Sequence, residues 1–298
     1  MITVAGITKQ YGKRTAVDDL TFDVTAGRVT GFVGPNGAGK STTMRMMVGL
    51  TRPDQGEVRY DGIAYTDLRH PARVVGSVLD ARCMHPGRTA RHHLRATAAV
   101  SGLATNRADA VLAEVGLETA ANQRAGGFSL GMRQRLALAG ALLGEPEVLL
   151  LDEPSNGLDP DGIRWLRNYL SGFADQGGTV FVSSHLISEL AMFVDDLVVV
   201  GAGKLLAAES LEAITARSEV SVTAVTPHAD ELAAQLAAHG LASAIVGDRL
   251  NIPGTTTTTV SQIAFDHGIR LVELIETSKS LEDSLLDMTR ASAEFASA

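Results

Sequence analysis

Gly34-Pro-Asn-Gly-Ala-Gly-Lys40-Ser41 constrains this chain more than any other stretch of it. The run matches G-x-x-x-x-G-K-[ST] in full. It follows a short apolar strand, Val29–Val33, and opens a helix predicted over Ser41–Val48 and closed by Gly49. Glycines let a backbone approach an anion closely, and successive N–H groups at a helix start point at its oxygens. In such a loop Lys40 would bridge β- and γ-phosphates, and Ser41 would give its hydroxyl to Mg²⁺. A strand–loop–helix of this kind belongs in a parallel sheet flanked by helices.

The rest of the chain offers that sheet. Val148–Leu151, Thr179–Val182 and Leu197–Val200 read as buried strands, and Pro160–Phe173 and Ser184–Val194 as the helices between them. Residues 1–65 read as strands and turns, with Asp61-Gly62 predicting a hairpin. Residues 88–145 are rich in Ala, Leu and Arg at helical spacing and read as a helical subdomain. Val148–Leu151 ends in Asp152-Glu153. Asp152 would supply oxygen to Mg²⁺, and Glu153 would be the general base for an attacking water. Two acids at a strand end also suit a helix cap. Phe128-Ser-Leu-Gly-Met-Arg-Gln-Arg135 opens a further helix. Ser129 there is either an ordinary N-cap or, with the N–H of Gly131, a second anion site.

A phosphate loop, Ser-x-Gly-x-x-Gln at a helix start, and an Asp-Glu strand about a dozen residues later resemble the ATP-binding subunit of an ABC transporter. Asn156-Gly-Leu-Asp159 is similar to that family's D-loop, His185 in Ser-Ser-His to its switch histidine, and Tyr11 to the aromatic residue that stacks on adenine. The resemblance covers about residues 1–215. It implies an α/β fold: a P-loop NTPase cassette with a RecA-like core, an antiparallel β subdomain and a helical subdomain. It implies ATP and Mg²⁺ as cofactors, with Gly34, Pro35, Asn36, Gly37, Ala38, Gly39, Lys40, Ser41 and Thr42 around the phosphates. Lys40, Glu153 and His185 are then catalytic. Ser129 and Gly131 meet the nucleotide of a second copy in a head-to-tail homodimer, and Asp159 of the D-loop is a further nucleotide-binding residue. A single cassette with a trailing domain is most similar to the ABC-2 drug-export branch, the daunorubicin-resistance type, whose permease is a separate chain. The stretch Ala81–Leu94, with Arg82, Arg88, Arg91 and Met84, is then the expected docking surface for that permease.

Two departures stand out. The signature reads Phe-Ser-Leu-Gly-Met, so Leu130 and Met132 depart from the family pattern. Where the family's Q-loop glutamine follows a strand, here Val74–Leu79, this chain has Asp80. Aspartate is also an oxygen ligand, so Asp80 is a third possible Mg²⁺ contact beside Ser41 and Asp152.

Past residue 215 the pattern resets. Residues 216–298 read as a small α+β domain: strand Glu219–Val225, helix Asp230–His239, a hairpin across Gly247-Asp248, helix Val260–His267, strand Arg270–Ile275 and helix Ser280–Thr289. The apolar residues Leu281, Leu285, Leu286 and Met288 would be core or dimer contact.

Composition limits the output. Lys plus Arg is 26 against 34 for Asp plus Glu, a net charge of −8, which disfavours nucleic acid as a partner. The single cysteine, Cys83, rules out an internal disulfide and a cysteine zinc site. His92 and His93 are adjacent and would face different ways on a helix, so they make a poor metal pair. No apolar run approaches the roughly 18 residues of a membrane span, and Met1–Gly6 lacks a basic signal region. The expectation is a cytoplasmic ATPase, held on the inner face of the membrane by its permease. The alternatives are a soluble ABC ATPase acting on nucleic acid or ribosomes, and a nucleotide-binding protein that does not hydrolyse.

Overall fold

The computed structural model describes residues 1–80, 84–216 and 220–278. It divides into two compact units, Met1–Leu211 and a smaller one opening at Glu212. The first contains, in chain order, β1 (Ile2–Tyr11), β2 (Arg14–Val24), β3 (Val29–Val33), α1 (Lys40–Met47), β4 (Gln55–Tyr60), β5 (Ile63–Ala64), α2 (Pro71–Val74), β6 (Val75–Val78), α3 (Ala90–Val100), α4 (Arg107–Glu114) and α5 (Leu130–Leu142). It continues with β7 (Val148–Leu151), α6 (Pro160–Asp175), β8 (Thr179–Ser184), α7 (Ile187–Leu190), β9 (Asp196–Gly201) and β10 (Lys204–Ser210).

An antiparallel sheet, β2-β1-β4-β5, faces a six-stranded sheet, β10-β9-β3-β8-β7-β6. In the second sheet β9, β3, β8, β7 and β6 run parallel and β10 pairs antiparallel at the edge. Strands buried on both faces have no need to alternate. Every residue of β3, β7 and β8 is accordingly buried. The two sheets share one core. Phe22 of β2, Phe32 of β3 and Phe181 of β8 lie with ring centroids 5.0 to 5.8 Å apart, and Met44 and Met47 of α1 are fully buried in the same cluster. Asp61 and Gly62 both have positive φ, 45° and 83°, which is the backbone a two-residue hairpin demands. The helical layer is α3, α4 and α5, with Leu94, Leu112 and Leu136 wholly buried.

Three elements differ from expectation. The helix predicted over 184–194 is only α7. Ser184 still pairs with Val33 as the end of β8, and its Oγ then accepts the Leu186 N–H, which holds a turn where a helix was expected. β10 was not foreseen because Lys204-Leu-Leu-Ala-Ala lacks β-branched residues. The turn at Ala202 (φ 49°) and Gly203 (φ 83°) folds it back onto β9. The strand expected over Arg270–Ile275 begins later, because the Arg270 carbonyl is taken by the Thr226 hydroxyl at 2.7 Å.

α8 (Leu211–Ala216) precedes the core of the second unit, which is β11 (Val220–Val225), α9 (Ala229–Ala238), β12 (Ala244–Val246), β13 (Arg249–Pro253), α10 (Thr257–Asp266) and β14 (Glu273–Ser278). The order β12-β13-β11-β14 with β-α-β-β-α-β connectivity is the ferredoxin-like arrangement. Val222, Ala224, Leu250 and Ile252 of the sheet pack with Leu232 and Leu236 of α9 and Val260 and Ile263 of α10. Thr256 caps α10 by accepting the Thr259 N–H, so the threonine run is a helix entry. The helix expected over 280–289, the tail beyond it, Arg82 and Cys83 lie outside the described residues.

Candidate active site

Strand register assembles the site. β8 lies between β3 and β7, with Val33 level with Ser184 and Leu151 level with Val182. One residue further on, the phosphate loop leaves β3, Asp152-Glu153 leaves β7 and His185 leaves β8, all at the carboxyl edge of a parallel sheet. That edge is where open α/β sheets bind ligands.

The phosphate loop turns into α1 at Gly39, whose φ of 103° excludes ordinary side chains. A Cβ there would lie 2.5 Å from the Ala16 carbonyl oxygen, and one on Gly34 would lie 2.2 Å from that of Val200. Lys40 is 6% exposed. Its Nζ donates to the Gly34 carbonyl at 2.6 Å and stands 3.4 Å from Glu153 Oε1. Tyr11, Arg14, Asn36, Gly37, Lys40, Ser41, Thr42, Glu153, Asn156 and His185 line a cleft of about 570 Å³ over this loop.

The acids are tightly held. Glu153 has φ 48°, a backbone region that non-glycine residues avoid. Its N–H donates to Ser183 Oγ at 2.9 Å, and the Ser183 hydroxyl donates to Asp152 Oδ1 at 2.6 Å. His185 Nδ1 is 2.7 Å from Glu153 Oε2. A carboxylate only accepts, so Nδ1 carries the hydrogen.

Not every expected site residue joins this cluster. Ser129 caps α5, accepting the Met132 N–H at 3.2 Å, and Asp159 caps α6, accepting the Gly162 N–H at 2.8 Å. With Gly131 they line a different cleft, of about 260 Å³, beside Leu158 and Trp165. Asp80 lies in a third, of about 660 Å³, with Arg45, Tyr65, Met84 and His93. Ser41 is not among the residues that line this third cleft. Asp80 sits just past β6, exposed, where the chain has already left the sheet. Met84 is half-buried. Arg91 is not free for a partner, because its guanidinium binds Asp109 and Asn122 and so braces α3 against α4. Arg88 is exposed.

Arg14 and Ser183 were not singled out from sequence. Arg14 sits at a strand start with no motif. Ser183 reads as one more residue of an apolar strand, and only the register shows it between the two acids.

His93 tests the third cleft. Burial, with Arg88 nearby, holds its imidazole below the usual histidine range, and its Nδ1 is buried without a hydrogen-bond partner. The unfolded chain therefore binds a proton that the folded chain refuses, so stability falls as pH drops below about 6.5. Denaturant midpoints should be lower at pH about 5.5 than at about 7.5, with a smaller gap in His93→Gln. Equal gaps would assign the acid sensitivity to other groups.

A family model described as ABC transporter matches residues 17–156. An uncharacterised ABC transporter ATP-binding protein of Bacillus subtilis (strain 168) is 34% identical over 297 residues, covering 99% of this chain and 97% of that one. The chain belongs to the ABC transporter ATP-binding proteins. This ABC ATPase is also 41% identical over 209 residues to the bacitracin transport ATP-binding protein of Bacillus licheniformis, covering 69% of this chain and 68% of the relative. Among solved structures it resembles a dimeric post-hydrolysis state of an ATP-binding cassette bound to ADP and Pi. The match has a TM-score of 0.64 and 26% identity, over 71% of this chain and 99% of that one. A second family model, described as a domain of unknown function, matches residues 220–282.

Proposed function

We propose that this ABC ATPase powers a separately encoded membrane permease of the ABC-2 export type. Two copies close head to tail around ATP and reopen after hydrolysis. The observation that carries this reading is that the Ser129–Gly131 helix start and the phosphate loop line different clefts in one chain. The cleft holding Ser129 and Gly131 shares no lining residue with the cleft over Lys40 and Ser41. One chain does not present both to one phosphate, whereas a two-fold pair does so twice. A cassette of known structure that this chain resembles is a dimer bound to ADP and Pi, which supports a dimeric reading. No helix among the described residues is long and apolar enough to cross a membrane. The bacitracin transport relative points to a peptide antibiotic as the class of cargo.

The roles follow from the chemistry of the site. Backbone N–H groups at the start of α1 cradle the phosphates, and Lys40 sets a positive charge against the β- and γ-phosphates. The Tyr11 ring, half exposed at the cleft, offers a face to adenine. Mg²⁺ is commonly held by one or two protein oxygens plus substrate phosphates. Ser41 and Asp152 supply such oxygens, and no group of three or more His, Cys, Asp or Glu able to hold a metal occurs among the described residues. The ion would neutralise charge developing on the phosphate oxygens. Glu153 takes a proton from water as the water oxygen bonds the γ-phosphorus and the bond to the ADP oxygen breaks. His185 keeps that carboxylate turned into the cleft.

The docking surface for the permease is the third cleft and the adjoining Arg88. Expressed alone, the chain should remain in the soluble fraction; with its permease it should sediment with membranes. Arg88→Glu should weaken that association by at least about tenfold while ATP binding by the isolated chain is unchanged. Full sedimentation of Arg88→Glu with the permease would move the surface elsewhere. Complexes holding no membrane protein would end the permease reading.

A further inference from the structure

Ser183 is fully buried in β8, level with Phe32 of β3, and its neighbour on the other side is β7. A serine hydroxyl has one hydrogen to give and two lone pairs to receive. Here the hydrogen goes to Asp152 Oδ1 at 2.6 Å, and a lone pair receives the Glu153 N–H at 2.9 Å. One atom therefore fixes a carboxylate and the backbone of the next residue. That backbone has φ 48°, which places the Glu153 side chain where Lys40 and His185 reach its two oxygens. A residue in this region persists only where its surroundings over-determine it.

We propose that the Ser183 hydroxyl is a positioning group for ATP hydrolysis, setting the direction of both Asp152 and Glu153. The inference rests on the roles given to these two acids above. Ser183 is fully buried and does not line the cleft over the phosphate loop. It acts through Asp152, by committing one carboxylate oxygen, and through Glu153, by holding the strained peptide that aims the base. Removing such a support typically costs 10- to 100-fold in metal affinity or activity.

The experiment compares Ser183→Ala, Ser183→Thr and Ser183→Val in the full chain. Threonine and valine share a shape and differ in the hydroxyl, so their difference reports the hydrogen bonds and not the packing. Ser183→Ala and Ser183→Val should lower kcat by about 10- to 100-fold with KM for ATP within about threefold, and Ser183→Thr should keep kcat within about threefold. Calorimetric ATP binding gives a second readout. The gain in affinity on adding Mg²⁺ should shrink in Ser183→Val and persist in Ser183→Thr, while Mg²⁺-free binding at the phosphate loop is unchanged. Equal kcat in the Thr and Val variants, or an effect on KM alone, would overturn the proposal. Ser183→Ala adds no volume and decides the matter alone if the other two fail to melt cooperatively. Glu153→Gln is assayed alongside: if it is active, the role of Glu153 itself falls, whereas an inactive Glu153→Gln beside a fully active Ser183→Ala removes only the Ser183 inference.

Discussion

Glu153→Gln should bind ATP and lose about 10²–10⁴-fold of its hydrolysis, the usual contribution of a positioned general base. The substitution keeps the size of the side chain, and its amide oxygen can still accept the hydrogen on His185 Nδ1, 2.7 Å from Oε2 in the native chain. What it removes is the negative charge that faces Lys40 at 3.4 Å and would receive the proton of water. Because Lys40 then loses an anionic neighbour, its charge is freer to meet phosphate, so ATP affinity should hold or rise. The closed dimer should accumulate with ATP, visible as a shift from monomer to dimer by size exclusion. Single-turnover hydrolysis measures the chemical step without product release. A rate near that of the native chain would remove Glu153 from the role of base.

The clustering of Lys40, Glu153 and His185 at the sheet edge was legible because its parts are local. A phosphate loop is a contiguous signal, and Asp152-Glu153 announces itself by following an apolar strand. Asp61-Gly62 worked for the same reason, since a hairpin turn is specified by its own two residues. What failed was what depends on neighbours far away in sequence. Ser183 gains its meaning from Asp152 and Glu153, some thirty residues upstream. Arg91 looked like an open cation until Asp109 and Asn122 were placed around it. β10 has the composition of a helix, and only the positive-φ turn at Ala202-Gly203 and the waiting edge of β9 make it a strand. The helix after β8 was overestimated because nothing in Ser184-His185-Leu186 shows that the serine hydroxyl will take the Leu186 N–H.

Mixing two inactive variants should restore activity, and this tests the separation of Ser129 and Gly131 from the phosphate loop. Lys40→Ala removes the cation that serves the phosphates and should reduce hydrolysis by at least about 10³-fold, because charge stabilisation is the main source of rate in phosphoryl transfer. Gly131→Glu places a carboxylate in the first turn of α5, beside the Ser129 cap, where it would repel the γ-phosphate of a partner's nucleotide. The same variant leaves its own phosphate loop intact, since no residue is shared between the two clefts. Each homodimer then carries two broken sites. A mixed dimer carries one site with both defects and one with neither, because the intact loop of one chain meets the intact Ser129–Gly131 start of the other. An equimolar mixture gives about half mixed dimers with one of two sites whole, so roughly a quarter of native activity should return if the sites act independently. Lys40→Ala should also lose ATP binding as an isolated chain, while Gly131→Glu should keep it, which shows that the two defects lie in different places. Activity that stays at the level of the single variants, with mixed dimers demonstrated by tagged co-purification, would mean that each chain completes its own site or that both sites must fire together. A Gly131→Glu chain that is fully active alone would place the γ-phosphate contact away from α5.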